Sequence, residues 1–115
     1  MRLAQVRELL DGTMLCGDAQ ADELEVQAAF AADLMSDVLA FAAAGAMLIT
    51  GLTSIQAVHT ADVADLRAIL FVSDKRPEQT VINLARQLGL PLLTTPCSLF
   101  ETCAILRAAG LPGVV

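Results

Sequence analysis

Residues 46–72 read "AMLITGLTSIQAVHTADVADLRAILFV", and the order of elements inside this stretch decides the fold. "AMLIT" (46–50) and "AILFV" (68–72) are short and apolar, without alternation of polar and apolar positions. A strand that is apolar on both faces is covered on both faces, as strands of parallel sheets are. Between the two runs lie a polar turn, "GLTS" (51–54), and a helical segment, "IQAVHTADVADL" (55–66). Parallel strands need a crossover connection, so the stretch predicts a βαβ unit.

The same grammar extends outward. Upstream, "VQAAFAA" (26–32) is a candidate strand and "DLMSDVLAF" (33–41) the helix after it. Downstream, the loop "SDKRPE" (73–78) leads into the helix "QTVINLARQLG" (79–89), then the strand "LPLLTT" (90–95), the loop "PCS" (96–98) and the helix "LFETCAILRAAG" (99–110). The first 25 residues hold a helix, "LAQVRELL" (3–10), stopped by "DGT", then a short strand in "MLCG" (14–17) and an acidic surface loop. The expectation is one compact α/β domain over 1–115, with core α/β units at 26–110. Its sheet is largely parallel, of four to five strands, with helices on both faces.

Local signals set the helix ends. Pro77 suits a first helical turn and Gly89 a helix stop. Ser98 is placed to cap the last helix, with Glu101 as its capping-box partner. Asp33 reads as the N-cap of the 33–41 helix. Leu34, Met35, Val38, Leu39 and Ala42 then form its buried side, while Asp33, Ser36 and Asp37 share the other.

Composition narrows the function. The 115 residues are 56% apolar and carry a formal charge of −6, from thirteen acids and seven bases. The bases are scattered, which disfavours nucleic acid as a partner. The longest apolar tract, 38–52, falls short of the roughly 20 residues that span a bilayer, so no membrane partner is expected. The N-terminal stretch carries charges where a signal peptide has an apolar core, and a cytoplasmic location is expected. A small domain rich in apolar residues and poor in charge hides part of its surface in an oligomer, so a homodimer is expected.

The chemistry-bearing residues are few. Cys16, Cys97 and Cys103 lack the paired spacing of a disulfide framework or a zinc site, and no metal is expected. There is no Walker loop and no GxGxxG. His59, the single histidine, sits mid-helix with Asp62 three residues on, and Cys97 precedes a helix; neither has an evident catalytic partner. No catalytic residues are assigned.

In a parallel α/β sheet, however, the strand-to-helix loops gather at one edge, where helix N-termini favour anions. That edge should bring together Thr50, Gly51 and Thr53, the single lysine Lys75, and Thr94 and Thr95, with Asp33, Ser36 and Asp37 beside them. Such a set suits an anionic or hydroxyl-rich small molecule. The same residue types also form turns and caps for local reasons, and both readings stand at this level.

"DLMSDVLAF" (33–41), "LITGLT" (48–53), "ILFV" with the following Lys75-Arg76-Pro77, and "GLPLLTT" (89–95) together resemble the DRTGG-domain family, over roughly residues 26–110. The likeness is to its small single-domain members, found near iron-only hydrogenase and NADH-dehydrogenase-like genes. The resemblance implies a fold shared with the N-terminal domain of the HPr kinase/phosphorylase and with a phosphotransacetylase domain. The Asp-Arg-Thr-Gly-Gly motif that names the family is absent; the corresponding loop reads "TGLTSIQ" (50–56). The resemblance implies a regulatory or ligand-binding module that is not an enzyme; together with the polar loops it leads to the expectation of a sensor that binds a phosphate- or nucleotide-like anion at the strand C-terminal edge. The alternative is a protein-interaction or adaptor subunit of a hydrogenase or NADH-dehydrogenase-like redox system.

Overall fold

A computed structural model describes residues 1–115. The elements run α1 (Leu3–Leu9), β1 (Thr13–Cys16), β2 (Ala29–Ala31), α2 (Met35–Phe41), β3 (Met47–Thr50), α3 (Ile55–Val63), β4 (Ala68–Phe71), α4 (Gln79–Leu88), β5 (Leu92–Thr94) and α5 (Leu99–Ala108). One five-stranded sheet has the order β1-β5-β4-β3-β2. Strands β2 to β5 are parallel, and β1 joins the β5 edge antiparallel with an irregularity between Met14 and Cys16. The expected largely parallel α/β sheet is therefore present, and the βαβ unit read from residues 46–72 lies at its centre.

The apolar runs of β3 and β4 are buried at every position because both faces are covered. Side chains alternate between the faces with the period of two of a strand. Leu48, Ile69, Phe71 and Leu92 pack with Met35 and Val38 of α2, Ala57, Val58 and Ala61 of α3, and Val81 and Ala85 of α4. Met47, Ile49, Leu70 and Leu93 pack on the opposite face with Leu3 and Val6 of α1 and Leu106 of α5. This division follows from handedness. The chain steps from β2 to β5 in one direction, so right-handed crossovers put α2, α3 and α4 on the same face. The other face is left to α1 and α5.

Several boundaries follow the local chemistry. Gly89 ends α4 with φ +69°, a left-handed conformation that glycine adopts without steric cost. The Ser98 hydroxyl caps α5 by accepting the Glu101 amide at 3.3 Å, although the reciprocal Glu101 side-chain bond is not made. Pro77 stands ahead of α4 rather than in its first turn, since the N-cap is Glu78. On α2, Met35 and Val38 are buried as expected, but Leu34 and Leu39 are 60% and 55% exposed. The helix is only seven residues long, so its buried stripe is one turn wide.

Candidate functional site

The C-terminal ends of the parallel strands carry a connected polar structure. Its first part is built on β2 and β3. The Ala32 amide donates to the Ile49 carbonyl at 3.1 Å, continuing the ladder one residue beyond β2 and delivering Asp33 to the end of β3. There the Asp33 Oδ1 accepts the Thr50 hydroxyl at 2.9 Å and the Gly51 amide at 2.8 Å. The Thr50 Oγ1 in turn accepts the Leu52 amide at 3.1 Å. Asp33 is thus a clamp on the β3–α3 turn, and the expectation that it caps a helix is corrected. Helix α2 starts at Met35, with Leu34 at the N-cap and no side-chain cap. An aspartate near a helix start meets the local demand of a cap, but here two tertiary donors compete successfully for it.

Those donors also set its charge. The Gly51 amide, the Thr50 hydroxyl and, more weakly, the Lys75 ammonium hold the Asp33 carboxyl below the usual carboxylate range. Asp33 is therefore an anion at neutral pH.

The second part is the β4–α4 loop. Ser73 and Asp74 both adopt left-handed conformations, with φ +57° and +56°. Such conformations are costly away from glycine and persist where surrounding bonds impose them. Here the Ser73 amide donates to the Cys97 carbonyl at 2.8 Å and the Asp74 amide to the Thr95 carbonyl at 2.7 Å. The Thr94 hydroxyl donates to the Lys75 carbonyl, also at 2.7 Å. The Lys75 backbone is fixed in this way, and its side chain reaches across to Gly51. A Cβ on Gly51 would meet the Lys75 Nζ at 3.2 Å and the Asp33 carboxylate oxygens at 3.7 and 3.8 Å. The ammonium forms no salt bridge.

Between the two loops lies a cavity of about 730 Å³, lined by Gly51, Thr53, Ser54, Arg76, Glu78 and Thr80 among others. Helix α3 opens onto it. The amides of Thr53, Ser54, Ile55 and Gln56 donate to no acceptor in the chain, and Ser54 makes no side-chain cap. Free amides at the start of a helix, with the positive end of its dipole, form an anion-binding arrangement. Arg76 adds a second cation, paired at 3.3 Å with the exposed Asp74.

The fold brings together Asp33, Thr50, Gly51, Thr53 and Lys75. Ser36 and Asp37 sit exposed on the first turn of α2, away from the lining of this cavity. Thr94 and Thr95 lie beneath the loops, fully buried. The Thr95 hydroxyl donates to the Leu10 carbonyl at 2.7 Å and accepts the Cys97 amide at 3.2 Å, so its hydrogen-bonding capacity is used in joining loops. Sequence reasoning missed Ser54, Arg76, Glu78 and Thr80 as site residues. Thr80, in the first turn of α4, was legible only through the spacing of that helix start.

His59 is exposed on α3, with no hydrogen bond to Asp62. Cys97 is half-buried against the α1/α5 side of the core. Burial raises the thiol pKa of Cys16 and Cys103. No three His, Cys, Asp or Glu side chains are grouped so as to hold a metal ion, and no helix is long and apolar enough to cross a membrane.

Fold and edge together define a small α/β module with a polar crevice at its strand ends. The DRTGG-domain family model matches residues 5–109, and the chain belongs to that family, as its resemblance led one to expect. No curated protein matches it. Among solved structures, it is similar to the CBS and DRTGG domains of the regulatory region of Clostridium perfringens pyrophosphatase, complexed with the activator diadenosine tetraphosphate. The TM-score is 0.79 at 15% identity, which is a likeness of fold. The match covers 96% of this chain but 47% of that one, so the chain spans about half the length of its neighbour.

Proposed function

We propose that this chain is a non-catalytic regulatory module that senses a small phosphate- or nucleotide-like anion at the C-terminal edge of its parallel strands. One observation carries the reading: four consecutive free amides at the start of α3 open into the crevice beside Arg76, while Lys75 leans over Gly51 without a salt-bridge partner. Asp33 holds the turn from behind and, as an anion itself, is a selectivity element rather than a direct anion contact. Ser36 and Asp37 border the edge and act on ligands larger than the crevice. Thr94 and Thr95 act as supports for the loops. The family membership and the regulatory setting of the structural neighbour favour sensing over catalysis.

The molecule carries net negative charge, so a bound anion must be stabilised locally. Screening over about 8–10 Å at physiological salt makes the nearby cations and amides outweigh the remote acids. Titration with inorganic pyrophosphate, ATP and diadenosine tetraphosphate, followed by calorimetry, tests the reading. Saturable binding that weakens on Lys75→Gln and Arg76→Gln supports it, and absence of heat and of thermal stabilisation at millimolar ligand removes it.

A second reading rests on Leu34, Leu39 and Phe41, which leave one end of α2 apolar and exposed. An unpartnered apolar surface favours association, either as a homodimer or with a protein of a redox system such as a hydrogenase or NADH-dehydrogenase-like complex. Sedimentation of the wild type against Leu39→Lys separates a self-association from none. The three free thiols fit the reducing conditions of a cytoplasmic location.

A further inference from the structure

A second cavity lies on the opposite face of the sheet edge, away from the polar crevice. The C-terminal segment lies along β2: the Ala29 amide donates to the Pro112 carbonyl at 2.9 Å and the Val114 amide to the Ala29 carbonyl at 3.1 Å. Ala29 and Gly113 form an isolated parallel bridge. Between this strap, β2 and α5 is a cleft of about 340 Å³, at the lower end of the roughly 300–1,000 Å³ usual for small-molecule sites. Its walls include Ala31, Ile49, Leu106, Leu111, Val114 and Val115, and Arg107 carries the one charged side chain among them.

Arg107 forms no salt bridge or side-chain hydrogen bond with any group of the chain. Cys103, also in the wall, has its thiol pKa raised by burial, and Val115 at the end of the strap forms no salt bridge with Arg107. Ala31, two residues after Ala29 on the same edge, turns its N–H and C=O outward as Ala29 does, and no other segment bonds them. An apolar cleft with one unpaired cation and a free amide at its wall is complementary to an aliphatic body ending in a carboxylate.

We infer that the cleft between β2, α5 and the C-terminal strap binds a small amphipathic carboxylate, its chain against Ala31, Ile49 and Leu106 and its head group on Arg107. An extended peptide is disfavoured as occupant, because Pro112–Val114 already fill the strand position beside Ala29.

The test uses octanoate as probe, with octylammonium and 1-octanol as controls, titrated into the 115-residue chain and followed by amide NMR. Octanoate is expected to give saturable shifts at Ala31, Cys103, Arg107 and Val114. Arg107→Gln is expected to weaken it by roughly twofold to fivefold, the range of an exposed charged contact, with an unchanged melting temperature. Cys103→Met, which fills the cleft from its wall, is expected to weaken octanoate and octanol alike. The proposal is overturned by absence of saturable shifts, by equal affinity in Arg107→Gln, by octylammonium binding as well as octanoate, or by shifts confined to other surfaces. These readouts are separate from phosphate binding at the crevice, so either site stands or falls alone.

Discussion

The Asp33 carboxylate and the Gly51 amide, 2.8 Å apart, join the end of one parallel strand to the turn that follows its neighbour. The bond lets a side chain from the β2–α2 connection determine where helix α3 begins. Removing it should therefore cost stability and loosen the turn. Asp33→Ala strips the buried Thr50 hydroxyl of its acceptor as well. Because Asp33 itself is largely exposed, about 1–2 kcal/mol is expected from guanidinium unfolding. Asp33→Asn retains an acceptor oxygen and should lose less.

The same contact has a pH signature. The folded-state pKa of Asp33 lies below its unfolded value, so the unfolded chain binds its proton first as pH falls. Its contribution is fully present above the unfolded value, near 4, and fades as pH drops through the lower folded value. The stability gap between wild type and Asp33→Asn should be constant from pH 8 to pH 5 and shrink below pH 4, measured by chemical unfolding at each pH. A gap that grows in acid would contradict the assigned role.

Gly51 is required by proximity and not by backbone conformation, as its φ is not in the left-handed region. In Gly51→Ala the new methyl meets the Lys75 Nζ at 3.2 Å, the far end of a flexible side chain that swings aside. The expected result is a loss below about 1 kcal/mol, as for a surface change, with weakened pyrophosphate binding. Paired melting and calorimetry would show the two effects separate.

Thr95 provides the contrast. Its hydroxyl bonds Leu10, 85 positions away in sequence, and its side chain is fully buried. Thr95→Val should destabilise by about 1–3 kcal/mol through an unpaired Leu10 carbonyl and Cys97 amide. Its effect on pyrophosphate affinity in the folded protein should be small.

Thiol labelling tests the packing. Cys16 is 4% exposed and Cys103 half-buried, and burial raises both pKa values. Low thiolate content and poor access both slow alkylation. At pH 7.5 iodoacetamide should modify these two much more slowly in the native protein than after unfolding, as read by peptide mass spectrometry.

Much of this architecture was legible in particular residues. "AMLIT" and "AILFV" became adjacent parallel strands, as short, uniformly apolar runs separated by a helical crossover fit a sheet covered on both faces. Gly89 and Ser98 marked helix ends through local geometry. What was not legible depends on partners distant in sequence. Asp33 carries the local signature of a cap, and only the arrival of Thr50 and Gly51 reassigns it. The antiparallel seat of β1 beside β5 and the strap at Ala29 are likewise tertiary choices. Leu34 and Leu39 matched a helical stripe, yet a seven-residue helix on the outermost parallel strand has neighbours on one side only. At the site, Lys75 was identifiable as the single lysine. The free amides at the start of α3 have no side-chain signature, so composition leaves them unseen.

The central claim is that the crevice between the β3–α3 and β4–α4 loops takes a phosphate-bearing anion. Amide NMR during titration with inorganic pyrophosphate tests it most directly. Saturable shifts at Gly51, Thr53, Ser54, Ile55 and Lys75, lost or strongly weakened in Lys75→Gln, are the result predicted. Resonances at these five positions that stay unmoved at millimolar pyrophosphate, or that move equally in Lys75→Gln, would contradict it.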